Sequence, residues 1–280
     1  MVRRLAERSP QLKLVLKALV RPFRSDVSTG YIELDRSDRE NMPSGLTNAW
    51  KSENIPGKQR LGVDRTLAAY RAGAPIRQFD VLREMLEPFA RATSDSVRAL
   101  SILEVGCSSG YYSEALAIQG FNCDYSGCDY SPSFIDMARR IYPNCDFRVE
   151  NATAMGYADS SFDVVVSGCC LLHIPDYEAA IREASRVAKG HVIFHRTPVL
   201  HQTRTTYFSK LAHGVKTVEI HFNEQELVAL FAKHGLYVSG IYTLDASWRR
   251  GDAYATKSYL CCKVKEQTVA SKADLATVAN

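Results

Sequence analysis

The sequence predicts an α/β domain built on a mainly parallel sheet with helices on both faces. Three observations carry that prediction. From residue 99 onward, short apolar runs alternate with amphipathic stretches, the pattern of repeated βαβ units. The first apolar run ends in a turn of small residues and a helix starts at once, over Ile102-Leu-Glu-Val-Gly-Cys-Ser-Ser-Gly110. The next apolar run ends in an acid, Asp129, 19 residues after Gly110.

Taken in order, residues 1–24 form the first element. Leu5, Leu12, Leu16, Leu19 and Phe23 share one helical face, Pro10 interrupts it and Pro22 helps end it. This stretch holds seven basic residues and one acid, a net +6. Two readings stand: a helix docking on a membrane surface or partner, or one packing on its own domain with a solvated basic side. Residues 25–60 are polar and turn-rich (Gly30, Pro43, Gly45, Pro56, Gly57), with Trp50 standing out. Residues 61–72 and 75–92 read as helices; Ile76, Phe79, Leu82, Leu86 and Phe89 make one stripe. Residues 25–95 therefore read as a lid with helices, ahead of a domain over 96–265.

Within that domain, strands are expected at Ala99–Val105, Cys123–Cys128, Asp146–Val149, Phe162–Ser167 and His191–His195. The helices between them are Gly110–Gln119, Ser131–Ile141, where Ser131-Pro132 suits a cap and first turn, and Asp176–Ala188. An excursion over 197–222 is too long for a plain connection and reads as a substrate-side insertion. Asn223 caps a helix through His234, and Tyr237–Tyr242 and Lys257–Val264 are the last strands. The small, polar tail from Glu266 to residue 280 reads as flexible.

Composition narrows the function. The chain has 280 residues, 46% apolar and 24% charged, with a net charge of +4. Removing the +6 of the leader leaves the rest at −2, which argues against a nucleic-acid-binding face. No apolar run reaches the ~18 residues of a membrane-spanning helix. No secretory signal is read at the N-terminus. The eight cysteines show no Cys-x-x-Cys spacing, so no metal site is expected; they read as small hydrophobes in a reducing, cytoplasmic compartment.

The turn after the first strand is built for close approach of a ligand, because small residues expose backbone and a helix N-terminus offers free N–H donors. A dinucleotide fold needs Gly-x-Gly-x-x-Gly to seat a pyrophosphate. This chain has Gly106-x-x-x-Gly110 with Ser108 between, preceded by Glu104. An acid there is wrong for a pyrophosphate and right for a cationic amino-acid end.

At this point the chain resembles the class I S-adenosylmethionine-dependent methyltransferases, whose first motif runs Glu-x-Gly-x-Gly-x-Gly. The acid and two glycines stand at Glu104, Gly106 and Gly110, and Ser108 replaces the middle glycine. Three further segments resemble the family in order: Cys128-Asp-Tyr-Ser-Pro-Ser-Phe-Ile-Asp-Met-Ala138, Glu150-Asn-Ala-Thr-Ala-Met155, and Ser160-Ser-Phe-Asp-Val-Val-Val-Ser167 with the loop after it. The resemblance covers about residues 99–196. It implies a Rossmann-like sheet of seven mostly parallel strands, S-adenosylmethionine as cofactor and S-adenosylhomocysteine as product. It also implies roles: Glu104, Gly106, Ser108, Gly110 and Cys169 at the methionine end, Asp129 on the ribose with Tyr130 beside the adenine, and Asn151 and Ala152 at the adenine edge. Bland readings stay beside these: Glu104 as a strand-end acid satisfied by helix N-termini, and Asn151 as a turn former.

Methyl transfer to a hydroxyl benefits from a general base. His173, six residues past the fourth strand, is the first candidate, and His195, at the end of the fifth, the second. Arg196 is read either as holding an anionic acceptor, a carboxylate or phosphate, or as a surface ion pair, and Tyr207 and His201 of the excursion as further substrate contacts or as parts of a solvated loop. The stretches 48–59 and 214–224 resemble flanks of bacterial small-molecule methyltransferases of glycan or natural-product pathways. The expected function is methyl transfer to an oxygen, or less favourably a nitrogen, of a small polar metabolite, sugar or glycan intermediate. The alternatives are an RNA or protein methyltransferase and a non-catalytic cofactor-binding regulator. Expected partners are a small-molecule acceptor and no nucleic acid, with membrane contact through 1–24 and a homodimer left open.

Overall fold

Strand β2 (Leu100–Val105) is buried at every position, as a central parallel strand must be when helices cover both its faces. It pairs in parallel with β3 (Cys123–Asp129) on one side and β5 (Phe162–Gly168) on the other. Beyond β3 lies β4 (Asp146–Val149), and beyond β5 the long β6 (Ala188–Leu200). The computed structural model describes residues 28–93, 99–249 and 251–264; the leader helix read over 1–24 and the tail over 266–280 lie outside them.

The chain ends in a hairpin of β9 (Leu236–Arg249) and β10 (Asp252–Lys263). β10 pairs antiparallel with both β6 and β9. The order β4-β3-β2-β5-β6-β10-β9 is therefore a Rossmann-like sheet of seven strands with only β10 reversed. Chain order reverses between β2 and β5, and a crevice at that switch point is where such sheets take ligands.

Helices cover both faces. α4 (Arg77–Thr93), α5 (Tyr111–Ile118) and α6 (Pro132–Ile141) share one core with Leu100, Ile102, Val164 and Val166; α3 (Asn54–Arg71) joins it through Leu67. α7 (Tyr177–Val187) and α8 (Glu224–Lys233) share the opposite core with Leu103, Val105, Val165 and Phe194. Asn223 caps α8 by accepting the Glu226 N–H, as expected. Ser131 makes no side-chain cap on α6, though Pro132 does occupy its first turn. Among the described residues no helix is long and apolar enough to cross a membrane.

Among the described residues three further strands extend those seven, so the sheet has ten strands rather than the seven expected. β1 (Ser28–Glu33) pairs with β7 (Thr206–Ala212), and β7 with β8 (Val215–Asn223), all antiparallel. This three-stranded sheet joins the other through the far end of β6, where Val199 and Leu200 meet Phe222 and Asn223. The excursion over 197–222 is thus the end of β6 plus a β-hairpin. His213 and Gly214 both have positive φ (51° and 83°), the backbone a two-residue hairpin turn requires. Two short helices, α1 (Arg36–Glu40) and α2 (Ser44–Thr47), then a 3₁₀ turn at Ala49–Lys51, lead from β1 to α3.

Candidate functional site

A cleft of about 1720 Å³ runs along the C-terminal ends of β2, β3, β5 and β6. Residues 47–66 and the β7–β8 turn close it from above. Of the five non-glycine residues with positive φ among the described residues, four line it: Ser108, Cys169, Arg196 and His213. Strained backbone of this kind concentrates at binding sites, where the surrounding fold holds it in place.

The floor is the turn after β2. Gly106 has φ 73°, and a Cβ there would lie 2.3 Å from the Cys170 sulfur. Gly110 has φ 74°, and a Cβ would strike the Phe147 ring. The N–H groups of Gly106 and Cys107 both bond the Cys128 carbonyl, fixing the turn to β3. Asp129 completes the tie: its carboxylate accepts from the N–H of Ser108 at 3.0 Å and of Ser131 at 2.9 Å. Burial pushes its pKa up to about 6, against the pull of those donors. Each carboxylate oxygen keeps a lone pair for a further donor, so ribose hydroxyls can still be accepted.

Glu104 is 2% exposed and accepts the Tyr125 hydroxyl. Burial drives its pKa well above the carboxylate range, an effect the Asp129 charge adds to. A cationic group brought beside it would reverse that cost. Gly168 gives it room, since a Cβ there would sit 2.8 Å from its Oε1. The hydroxyls of Ser108 and Ser109 are buried without a hydrogen-bond partner. Buried acids short of a cation, orphan hydroxyls and a turn stripped of side chains fit the nucleoside and amino-acid ends of S-adenosylmethionine.

Other expected cofactor residues line the same cleft with roles of their own. The Tyr130 hydroxyl accepts from the Trp50 N–H (3.2 Å) and donates to the Thr47 carbonyl (3.1 Å), so it latches the lid segment down. Asn151 uses its side-chain carbonyl on the N–H and hydroxyl of Thr153, at 3.1 and 3.0 Å. That bonding is a turn former's, and Ala152 follows within the turn. Cys169 donates its N–H to the His195 carbonyl at 2.8 Å, tying the ends of β5 and β6 together.

The opposite wall carries His173 and Arg196. His173 sits against Trp50, ring centroids 4.9 Å apart, and its Nδ1 lies 2.7 Å from the Val218 carbonyl. A carbonyl only accepts, so Nδ1 bears the proton and Nε2 keeps its lone pair. Burial, then the charge of Lys210, lowers the pKa to about 4, so the ring is neutral at pH 7. Tyr111, unread as a site residue, lines the cleft as the first helical residue after Gly110; its place beside the glycine turn was the available signal. Gln78 and Asn48 also line the cleft; Gln78 left no signal in the sequence, and Asn48 only its place at the start of the stretch 48–59.

Three expected residues fall elsewhere. His195 is 1% exposed and turned away from the cleft, with Nδ1 on the Ser258 hydroxyl at 2.8 Å; burial lowers its pKa to about 3, and it has no access to an acceptor. His201 is exposed in the turn after β6, outside the cleft lining. Tyr207 lines a separate hollow of about 390 Å³ with Tyr177 and Leu230, under the Arg39 guanidinium. Both lie in the excursion that sequence reading treated as a single substrate-facing loop; His201 falls in the turn between β6 and β7, and Tyr207 is on β7, where alternate residues face opposite sides.

Residues 103–194 match the family model described as a methyltransferase domain. This is the segment that carries the sequence motifs. The chain is 31% identical over 130 residues to a demethylmenaquinone methyltransferase of Chlorobaculum parvum, covering 44% of this chain and 53% of that protein. It is 30% identical over 110 residues to a ubiquinone biosynthesis O-methyltransferase of Sinorhizobium fredii, covering 37% and 44%. The chain spans about half the length of the curated relatives it matches. Among solved structures it is similar to an S-adenosylmethionine-dependent methyltransferase of Methanosarcina mazei, 21% identical, covering 62% of this chain and 98% of that one with a TM-score of 0.47.

Proposed function

We propose that this protein is an S-adenosylmethionine-dependent methyltransferase that methylates a hydroxyl oxygen of a small molecule, with His173 as general base. The observation that carries the reading is the placement of His173: in the cleft lining, held through Nδ1 on the Val218 carbonyl, with the lone pair of Nε2 left free. Glu104 and the glycine turn would hold the methionine end of the cofactor, and Asp129 the ribose. When bound, the cofactor supplies a methyl group on a cationic sulfur, an electrophile that needs alignment more than activation. The protein's part is then to seat the acceptor against Trp50 and Tyr111, exclude water beneath the lid, and take the hydroxyl proton at His173 Nε2. The aromatic wall supports a hydroxylated ring as acceptor, whether an aromatic ring or a sugar. The relatives named for menaquinone and ubiquinone synthesis support a small molecule over RNA or protein.

The test is calorimetric titration with S-adenosylhomocysteine, followed by transfer of a labelled methyl group to a panel of phenols and sugars. Asp129→Ala should weaken the nucleoside ligand at least roughly tenfold, as expected for a buried charged acceptor losing two donors. Unchanged affinity in that variant overturns the cofactor assignment.

A further inference from the structure

β6 contains a bulge that aims one side chain into the cleft. Opposite the single residue Ser258 of β10, β6 places two, His195 and Arg196, between the pairs Phe194–Tyr259 and Thr197–Lys257. The Ser258 hydroxyl holds both, at 2.8 Å to His195 Nδ1 and 3.3 Å to the Arg196 N–H. Arg196 takes φ 60°, a backbone that an L-residue adopts only at a cost of roughly 1–2 kcal/mol. A bulge turns the strand locally, and here the result is that His195 is sealed in while Arg196 lines the cleft.

The guanidinium so placed has no carboxylate within ion-pair distance among the described residues. Its charge is felt by Glu104, Tyr111, Tyr112 and His173. Of the other cations of the lining, Lys210 pairs with Glu219, Arg77 with Glu84, and Lys58 bonds the His213 carbonyl, while Lys51 and Arg65 stand on the lid side. A half-buried guanidinium in a low-dielectric cleft gains most from a planar anion that meets its fork with two parallel bonds. The sheet order puts β6 two strands from β2, about 10 Å across, and the guanidinium reaches from there toward Tyr111 and Tyr112, so Arg196 spans the cleft between the glycine turn and His173.

We propose that Arg196 is the carboxylate-binding residue of the acceptor site, so that the acceptor carries a carboxylate as well as the hydroxyl presented to His173. This deepens the methyltransferase reading and rests on it for the word acceptor. A phosphate monoester is a poorer match. Its second charge calls for a second free cation, and Lys210, the next cation acting on His173, is already paired.

Ligand-observed NMR tests the proposal, using small aromatic carboxylic acids, each beside its carboxamide and its phosphate-ester analogue. Titrations are run with the protein alone and with S-adenosylhomocysteine present. The acids should bind at least tenfold more tightly than their carboxamides. Arg196→Met should bring that ratio to about one while leaving S-adenosylhomocysteine affinity within twofold, and Arg196→Lys should restore part of it. No binding by any acid, no preference for acids over amides, a preference for the phosphates, or a preference that survives Arg196→Met overturns the proposal. So does a tenfold loss of S-adenosylhomocysteine affinity in Arg196→Met, which would assign the guanidinium to the cofactor's own carboxylate. Because the acid preference is also read without the nucleoside, failure to bind S-adenosylhomocysteine counts against the methyltransferase reading alone.

Discussion

The floor of the cleft and its opposite wall are assembled in contrasting ways. The floor comes from one stretch of chain, residues 104–131, in which β2, a glycine turn and β3 are hydrogen-bonded to one another through Cys128 and Asp129. The wall is a composite. Trp50 comes from the lid, His173 from the turn after β5, Arg196 from the bulge in β6, and Lys210 and His213 from the hairpin. A contiguous floor can be rigid by itself, because its backbone donors and acceptors are satisfied locally. A composite wall is only as well placed as the packing between its pieces. A cofactor that never changes can be met by the first, while an acceptor that differs between enzymes is met by the second.

The largest effect should come from breaking the floor. Gly106→Ala puts a methyl group into the Cys170 side chain and keeps a left-handed backbone. Overpacking and backbone strain together should weaken S-adenosylhomocysteine by roughly 100-fold, about 3 kcal/mol. Gly30→Ala is the control: it has a similar φ of 67° with nothing within 4 Å, and should leave that affinity unchanged. Equal loss in both would show the floor to be no more exacting than an open turn.

The wall should fail in rate rather than in cofactor affinity. His173→Ala should lower kcat by roughly 10²–10³-fold with S-adenosylhomocysteine affinity intact, once an acceptor is in hand. The two regions should also separate by pH. With its pKa lowered to about 4, His173 stays unprotonated through the range where a free imidazole takes its proton, so kcat should stay flat from pH 8 down to about 5. Asp129 has a pKa raised to about 6; below that it protonates and loses its charge and one acceptor position, so nucleoside affinity should fall as pH drops through 6. A kcat that declined already at pH 6.5, with affinity unmoved, would reverse both assignments.

The same contrast decides what could be read from the sequence. The floor was legible because its residues are consecutive, and the spacing Glu104, Gly106, Gly110, Asp129 survives without tertiary information. The second sheet was not, because inward-facing charges look like a solvated loop. Lys210 and Glu219 are each 5% exposed and neutralise one another, with His221 on the other carboxylate oxygen at 2.9 Å. Such a pair gives strands no apolar alternation to detect. His195 and Arg196 show a different limit. Strict alternation gives neighbouring residues opposite faces but does not say which one faces the cleft, and the bulge at Ser258 settles that only in three dimensions.

The smallest effect tests the joint between the two regions. The Tyr130 hydroxyl, which follows Asp129 on the floor, bonds the lid at both Thr47 and Trp50, and Trp50 in turn braces His173. Tyr130→Phe removes both bonds and keeps the ring, under which the Lys51 ammonium still lies 5.2 Å from the centroid. Each lost bond is half-buried and contributes about 1 kcal/mol, and part of that returns as the freed backbone groups meet water. The lid should therefore open more often, and S-adenosylhomocysteine should dissociate roughly five- to tenfold faster by stopped flow. The affinity of Gly106 and Asp129 for the ligand in the closed state is untouched, so association should change little. If dissociation keeps its rate while kcat falls, the lid is held by other contacts, and Tyr130 acts on the wall through Trp50 instead.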